Sequence, residues 1–248
     1  MGGLKQEIKL ILVEPSGPLN IGSVARLCEN FGIKELRLVA PRCDPFDAMA
    51  IKMAVKGKKL LESAQHYPSL LDAISDCCQV IATCGRTDHG TIPLCGLEEA
   101  IKWSQKTSEE SPLALIFGRE DRGLTNQELL LAQKVLTLET LSGYQSLNLS
   151  HAVAIVLHEL HRSEKNRFTY KQIGENENDP ASPLQVNDCL KDAERLLLEI
   201  GFLFEHTAKA RMSKIRALIQ RAEIRPAEVS LIRGVLRQVR WAIENQNS

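Results

Sequence analysis

The sequence predicts an α/β domain built on a mostly parallel sheet, followed by an all-helical extension. Three observations carry this. Five short apolar runs recur, each long enough for a strand and apolar on both faces, as strands covered by helices on both sides require. Helical patterns lie between them, the alternation of βαβ units. A polar stretch without periodicity then separates this half from three further helical stripes.

Taken in order, strands are predicted over residues 8–13, 36–39, 80–84, 113–117 and 135–138. Helices are predicted over 21–31, 70–77, 97–105 and 124–132, and a longer one over 146–162 closes the domain. Residues 163–185 carry Asn176, Asn178, Pro180 and Pro183 and read as a linker. Beyond it, Leu190, Ala193, Leu197 and Ile200 form the apolar stripe of a helix over 186–200. Helices over 208–220 and 227–243 follow, with Pro226 suited to the first turn of the last. The expected organisation is therefore a domain over 1–162, a linker over 163–185 and a helical, basic extension over 186–248.

The 248 residues are 44% apolar and 25% charged, an ordinary globular composition. Seven cysteines, an odd number with no CxxC pair, suit free thiols in a reducing cytoplasm rather than a disulfide framework. No run of about 18 apolar residues is present, and residues 1–7 lack an apolar signal core. The expectation is a cytoplasmic protein with no membrane partner. Lys+Arg and Asp+Glu balance at 31 each, but not locally. Residues 1–161 hold 16 basic and 19 acidic side chains, whereas 207–242 hold nine basic against Glu223 and Glu228. A local patch of that kind binds phosphates whatever the global sum.

Three segments at strand ends could carry chemistry. Residues 14–26, from Glu14-Pro15-Ser16-Gly17 through Asn20-Ile21-Gly22-Ser23-Val24-Ala25-Arg26, follow the first strand and open a helix that Asn20 could cap. Phe117-Gly118-Arg119-Glu120-Asp121-Arg122-Gly123-Leu124-Thr125 follows a buried strand, and its glycines permit close backbone approach to a ligand. Tyr144-Gln145-Ser146-Leu147-Asn148-Leu149 precedes the long helix, with Ser146 as its expected cap. Taken singly, each reads first as an ordinary turn or helix start without chemistry. His151, His158 and His161 share a helix, but their spacing is not that of HExxH and no carboxylate or cysteine partner is implied, so no metal is expected.

Together these segments resemble the TrmH-like branch of the SPOUT RNA methyltransferases. The likeness rests on Asn20–Arg26, on Phe117-Gly118-Arg119-Glu120 with Gly123-Leu124-Thr125-Asn126, and on Ser146-Leu147-Asn148-Leu149 with Ala152-Val153. It extends to residues 83–87, and into the tail through Met212-Ser213-Lys214-Ile215-Arg216 and Leu231-Ile232-Arg233-Gly234. The tail is similar to that of the branch's tRNA (cytidine/uridine-2′-O)-methyltransferases. This resemblance implies a deep trefoil knot, which general rules of chain topology argue against. It implies a homodimer with its active site at the subunit interface, and S-adenosyl-L-methionine as methyl donor without a metal. By the same resemblance the methyl donor would contact Thr83, Cys84, Gly85, Gly118, Leu138, Gln145, Ser146 and Leu147. Arg26 would be catalytic, with Asn20, Glu120 and Asn148 positioning the ribose and Arg26. An arginine with a pKa above about 12 is a poor base, which favours an orienting and electrostatic role. The implied target is ribose 32 of the tRNA anticodon loop, held by Lys209, Arg211, Lys214, Arg216, Arg221 and Arg233. Another tRNA or rRNA position, and a catalytically silent RNA-binding dimer, remain as alternatives. Ala54-Val55-Lys56-Gly57-Lys58-Lys59 departs from the branch's small-residue pattern; its lysines are either phosphate contacts or a solvated helix end.

Overall fold

The computed structural model describes residues 6–86, 89, 92–106, 111–141, 146–167 and 180–246. Its centre is a six-stranded, wholly parallel sheet of β1 (Ile8–Val13), β2 (Glu35–Val39), β3 (Gln65–Tyr67), β4 (Gln79–Thr83), β5 (Leu113–Phe117) and β6 (Lys134–Leu136). The order is β3-β2-β1-β5-β4-β6. The chain therefore leaves β1 towards one edge and returns to fill the other, which makes the carboxyl ends of β1 and β5 the switch point where α/β sheets place ligands.

Side chains alternate across the sheet. Leu10, Leu12, Leu36, Leu38, Leu115 and Phe117 face a core closed by α1 (Pro18–Phe31), α2 (Ala48–Ala54), α3 (Lys58–Glu62), α5 (Leu97–Ser104) and α7 (Leu149–Arg167). Ile11, Val13, Val39, Val80 and Ile116 face a second core under α4 (Leu70–Ala73) and α6 (Asn126–Leu129). The helices in front of the sheet approach closely. A Cβ on Gly57 would stand 2.4 Å from the Ala25 carbonyl oxygen and 2.8 Å from the Arg26 nitrogen, so the 3₁₀ turn Val55–Gly57 lies directly on α1.

Two charges interrupt the apolar strands. Arg37, 2% exposed, binds Asp76 through both terminal nitrogens at 2.7 and 2.8 Å, and also Glu35 and the Ala73 carbonyl. Lys9 reaches the same Asp76 at 2.6 Å. These bonds hold the Asp76 carboxyl well below the usual range, Arg37 foremost and against the opposing effect of burial.

The extension consists of α8 (Pro183–Glu199), α9 (Glu205–Ala222) and α10 (Pro226–Gln246). Pro183 is not linker but the first residue of α8, behind a capping box of Ser182 and Gln185. At the other end of the expected linker, α7 continues through Arg167. The extension docks on the α/β half. Glu223, in the left-handed region at the end of α9, accepts from the Trp103 indole at 2.7 Å and pairs with Lys134 at 3.0 Å. Gln220 donates to the Leu129 carbonyl at 3.3 Å. Among the described residues, no helix is long and apolar enough to cross a membrane.

Candidate active site

The loops beyond β4, β5 and β6 surround one cavity of about 240 Å³. Thr83, Cys84 and Gly85 line it from β4, Gly118 from β5, Leu138 from β6, and Ser146 and Leu147 from the approach to α7. The described residues expected at the methyl donor thus meet in one place; Gln145 lies outside the described residues. The walls combine the apolar Phe117, Leu136 and Leu149 with Thr83, whose hydroxyl donates to the Ile116 carbonyl at 3.0 Å. Gly118 is required by space. A Cβ there would lie 2.4 Å from the Gly123 carbonyl carbon and 2.5 Å from the Leu124 nitrogen. The turn 118–124 closes on itself at that point.

Beside the cavity, Glu120 joins the loops after β1 and β5. It accepts from the Ser16 amide and hydroxyl at 3.0 Å each, from the Gly17 amide at 3.0 Å and from the Asn20 side chain at 3.1 Å. Burial pushes this carboxyl up, but the bonds from Asn20, Ser16 and Gly17 outweigh it, and the net shift is downward. Glu120 is therefore an ionised anchor whose lone pairs are occupied, a poor acceptor for a further proton. Because a carboxylate only accepts, the Asn20 amide nitrogen must face it. The Asn20 oxygen then takes the Asn148 amide at 3.0 Å, and the Asn148 oxygen accepts from the Ser150 amide at 2.9 Å. Every amide orientation in this chain is fixed by its neighbour.

This network corrects two expectations. Asn20 does not cap α1. The helix starts at Pro18, with its preset φ, and places Asn20 inside the first turn, so its side chain is free to reach Glu120. Nor does Ser146 cap α7. Asn148 does, receiving the backbone of Ser150 and His151.

Arg119 points the opposite way from Glu120. It is 7% exposed and binds both oxygens of Glu128 at 2.9 Å, the Gly123 carbonyl at 3.2 Å and the carboxylate of Glu14. Glu14 ends β1 with φ of 46°, an uncommon backbone state for a non-glycine residue. Arg119 and then Arg42 draw its carboxyl down to about 2. Two neighbouring side chains thus fasten the first loop to the cavity loop twice. Glu14 and Arg119 lie within the first two motif segments, with no task implied by the motifs themselves. Their partnership spans 105 positions and leaves no local pattern.

Arg26 is exposed on α1, has no hydrogen bond or ion pair to another described residue, and does not line the cavity. Six residues separate it from Asn20, which turns it about 240° around the helix axis, away from the Glu120 network. The lysines near it are solvated: Lys56, Lys58 and Lys59 are exposed, and Lys58 pairs with Glu62 at 3.6 Å. His161 packs edge-on against Phe31 at 5.9 Å.

The basic side chains of the extension divide. Lys209, Arg211, Lys214 and Arg221 are exposed on α9. Arg216 turns inward, binds Asn187 at 2.8 Å and is pushed below its usual value by burial. Arg233 pairs with Asp192 at 2.9 Å. Of these six, Lys209, Lys214 and Arg221 present free cationic ends, whereas Arg211 donates to the Phe202 carbonyl.

Comparison with known proteins agrees with this layout. Residues 7–158 match the model of the SpoU rRNA Methylase family, and residues 185–248 match that of the tRNA methyltransferase TrmJ C-terminal domain. The chain is 34% identical over 236 residues to the tRNA (cytidine/uridine-2′-O-)-methyltransferase TrmJ of Pectobacterium atrosepticum, covering 94% of this chain and 96% of that one. The Citrobacter koseri protein of the same name is 34% identical over 98% of each chain. Among solved structures, TrmJ from Z. mobilis ZM4 is similar with a TM-score of 0.80 and 28% identity, covering 94% of this chain and 98% of that one.

Proposed function

Because the chain belongs to the SpoU methylase family and is a TrmJ-type tRNA 2′-O-methyltransferase, we propose that it moves the methyl group of S-adenosyl-L-methionine to the 2′-oxygen of cytidine or uridine 32 in the anticodon loop. The observation that supports this most is the convergence of Thr83, Cys84, Gly85, Gly118, Leu138, Ser146 and Leu147 on one cavity at the carboxyl ends of β4, β5 and β6. Apolar walls suit an adenine ring, and the loop backbone at Gly118 is free of side-chain bulk for polar contacts. The donor's sulfonium supplies an electrophilic methyl whose departure needs no metal.

The chain's own residues then position the nucleophile. Glu120, Asn20 and Asn148 form one hydrogen-bonded polar wall, in which Asn20 of α1 joins Asn148 at the start of α7. Holding ribose against that wall removes rotational freedom before reaction, an effect worth roughly 7–11 kcal/mol at best. Arg26 serves as a fixed cation for the neighbouring phosphate and for the developing alkoxide. Since Arg26 stands apart from the cavity of its own chain, the reading requires a homodimer in which each protomer's Arg26 completes its partner's site. Exposed Leu19, Met49, Met53 and Val55 on α1, α2 and the turn after it give such a contact an apolar surface. Lys209, Lys214 and Arg221 would hold tRNA phosphates, in a cytoplasmic enzyme.

The test is methyl transfer from labelled S-adenosyl-L-methionine to a tRNA transcript, with the product nucleotide mapped by mass spectrometry. Methylation at ribose 32, lost in Arg26→Ala while donor binding by calorimetry persists, is the expected result. A methyl on a base or at another nucleotide would refute the position.

A further inference from the structure

Two phenylalanines project from the extension into solvent. Between the end of α8 at Glu199 and the start of α9 at Glu205 the chain alternates sharply. Phe202 is 54% exposed and Phe204 55%, whereas Leu203 between them is 2% exposed and sits in the core of the extension with Leu190, Ala208 and Met212. The turn is firmly built. Gly201 reverses the chain with φ of 74°, and the Leu203 amide donates to the Leu197 carbonyl at 2.9 Å. Both rings are thus held outward by an anchored backbone.

Each ring is also backed by a flat cationic or heteroaromatic group. The Arg211 guanidinium lies 5.7 Å from the Phe202 ring centre and donates to the Phe202 carbonyl at 2.6 Å. His206 stacks on Phe204 at 5.9 Å, with 19° between the planes. Over residues 202–216, the exposed Lys209, Arg211 and Lys214 stand against Glu205 alone, Arg216 being turned inward. Aromatic faces beside surplus positive charge are what unpaired nucleotides need, because every base has a π-face and every linkage a phosphate. A protein contact would instead favour a core depleted of charge.

We propose that Phe202 and Phe204 form a stacking platform for unpaired bases of the tRNA substrate, with Arg211 and His206 as the backing of the two rings. This rests on the reading of the chain as a tRNA ribose methyltransferase and adds the aromatic part of its RNA contact. It also changes the task of Arg211, which charge pattern alone assigns to a phosphate.

The experiment measures binding of the full chain to a tRNA transcript over a series of KCl concentrations. The double variant Phe202→Ala/Phe204→Ala should bind on the order of 30-fold more weakly, or worse. The slope of log affinity against log salt should stay as it is, since no ion is released from a stacked base. Lys209→Ala, in contrast, should reduce that slope by about one. Phe202→Trp/Phe204→Trp should retain the affinity. Because both rings are exposed, the double variant should keep its melting temperature and donor affinity. Unchanged tRNA affinity in the double variant would overturn the platform. So would a loss accompanied by a change of oligomeric state in sedimentation, which would make this surface a protein contact. If the unaltered protein binds no tRNA, the substrate reading falls and the platform with it.

Discussion

Replacing Glu120 by glutamine tests whether this carboxylate is a structural anchor. It accepts four hydrogen bonds, from the Ser16 amide and hydroxyl, the Gly17 amide and the Asn20 side chain. Glutamine offers one oxygen and one amide group, so two of the four donors face another donor. The Ser16 hydroxyl can rotate to accept, which selects the orientation that leaves only the Ser16 backbone N–H unpaired. A bond to a charged group contributes about 1.5–3 kcal/mol and a neutral one about 0.5–1.5 kcal/mol. One lost and three weakened bonds, at a half-buried position, amount to about 2–4 kcal/mol. For a chain of this length that is roughly 5–15 °C of melting temperature. Scanning calorimetry at pH 7 would measure it, together with Asn20→Ala and the double variant. Coupling between the two sites is expected, since the bond between Asn20 and residue 120 loses its charge in one change and is removed in the other. A melting temperature within about 1 °C of the unaltered protein, or simple additivity, would refute the anchor.

Three further outcomes are expected. Gly118→Ala should abolish binding of S-adenosyl-L-methionine in calorimetry, because its Cβ would press into Gly123 and Leu124 within 2.4–2.5 Å and open the turn that borders the cavity. Asp76→Asn should cost about 2–4 kcal/mol in urea unfolding, since it removes an anionic acceptor from the buried Arg37 and from Lys9. The carboxyls of Glu14, Asp76, Glu120 and Glu128 all lie below their ordinary values in the folded chain, Glu14 at about 2. Their stabilisation is complete above the unfolded carboxyl range and is lost as pH falls through the folded values. Thermal melts should therefore show stability declining from about pH 5 towards pH 2, less steeply in Glu120→Gln.

The parallel sheet was legible because buried strands must be apolar, and 113–117 coincides with β5 to the residue. β3 leaves no apolar alternation to read, because Gln65 and His66 of this edge strand are exposed and Tyr67 alone is partly buried. Helices α2, α3 and the turn between them are short and were not anticipated either, since a few residues carry too little periodicity. Lys9 and Arg37 inside apolar runs were signs of a buried ion network, but which carboxylate meets them depends on the fold. The same holds for the site. Motif resemblance singled out Asn20, Glu120 and Asn148, while the bonds joining them, and the inward turn of Arg216, depend on how distant segments pack.

The hydrogen bonds that unite the polar wall connect residues 100 and 128 positions apart. Closing such long loops carries a large entropic cost that is recovered only when β1 and β5 have paired. The wall therefore depends on the pairing of β1 and β5, since its members lie on loops that those strands bring together. A change in the two central strands that weakens their pairing therefore lowers the number of chains that carry an intact wall.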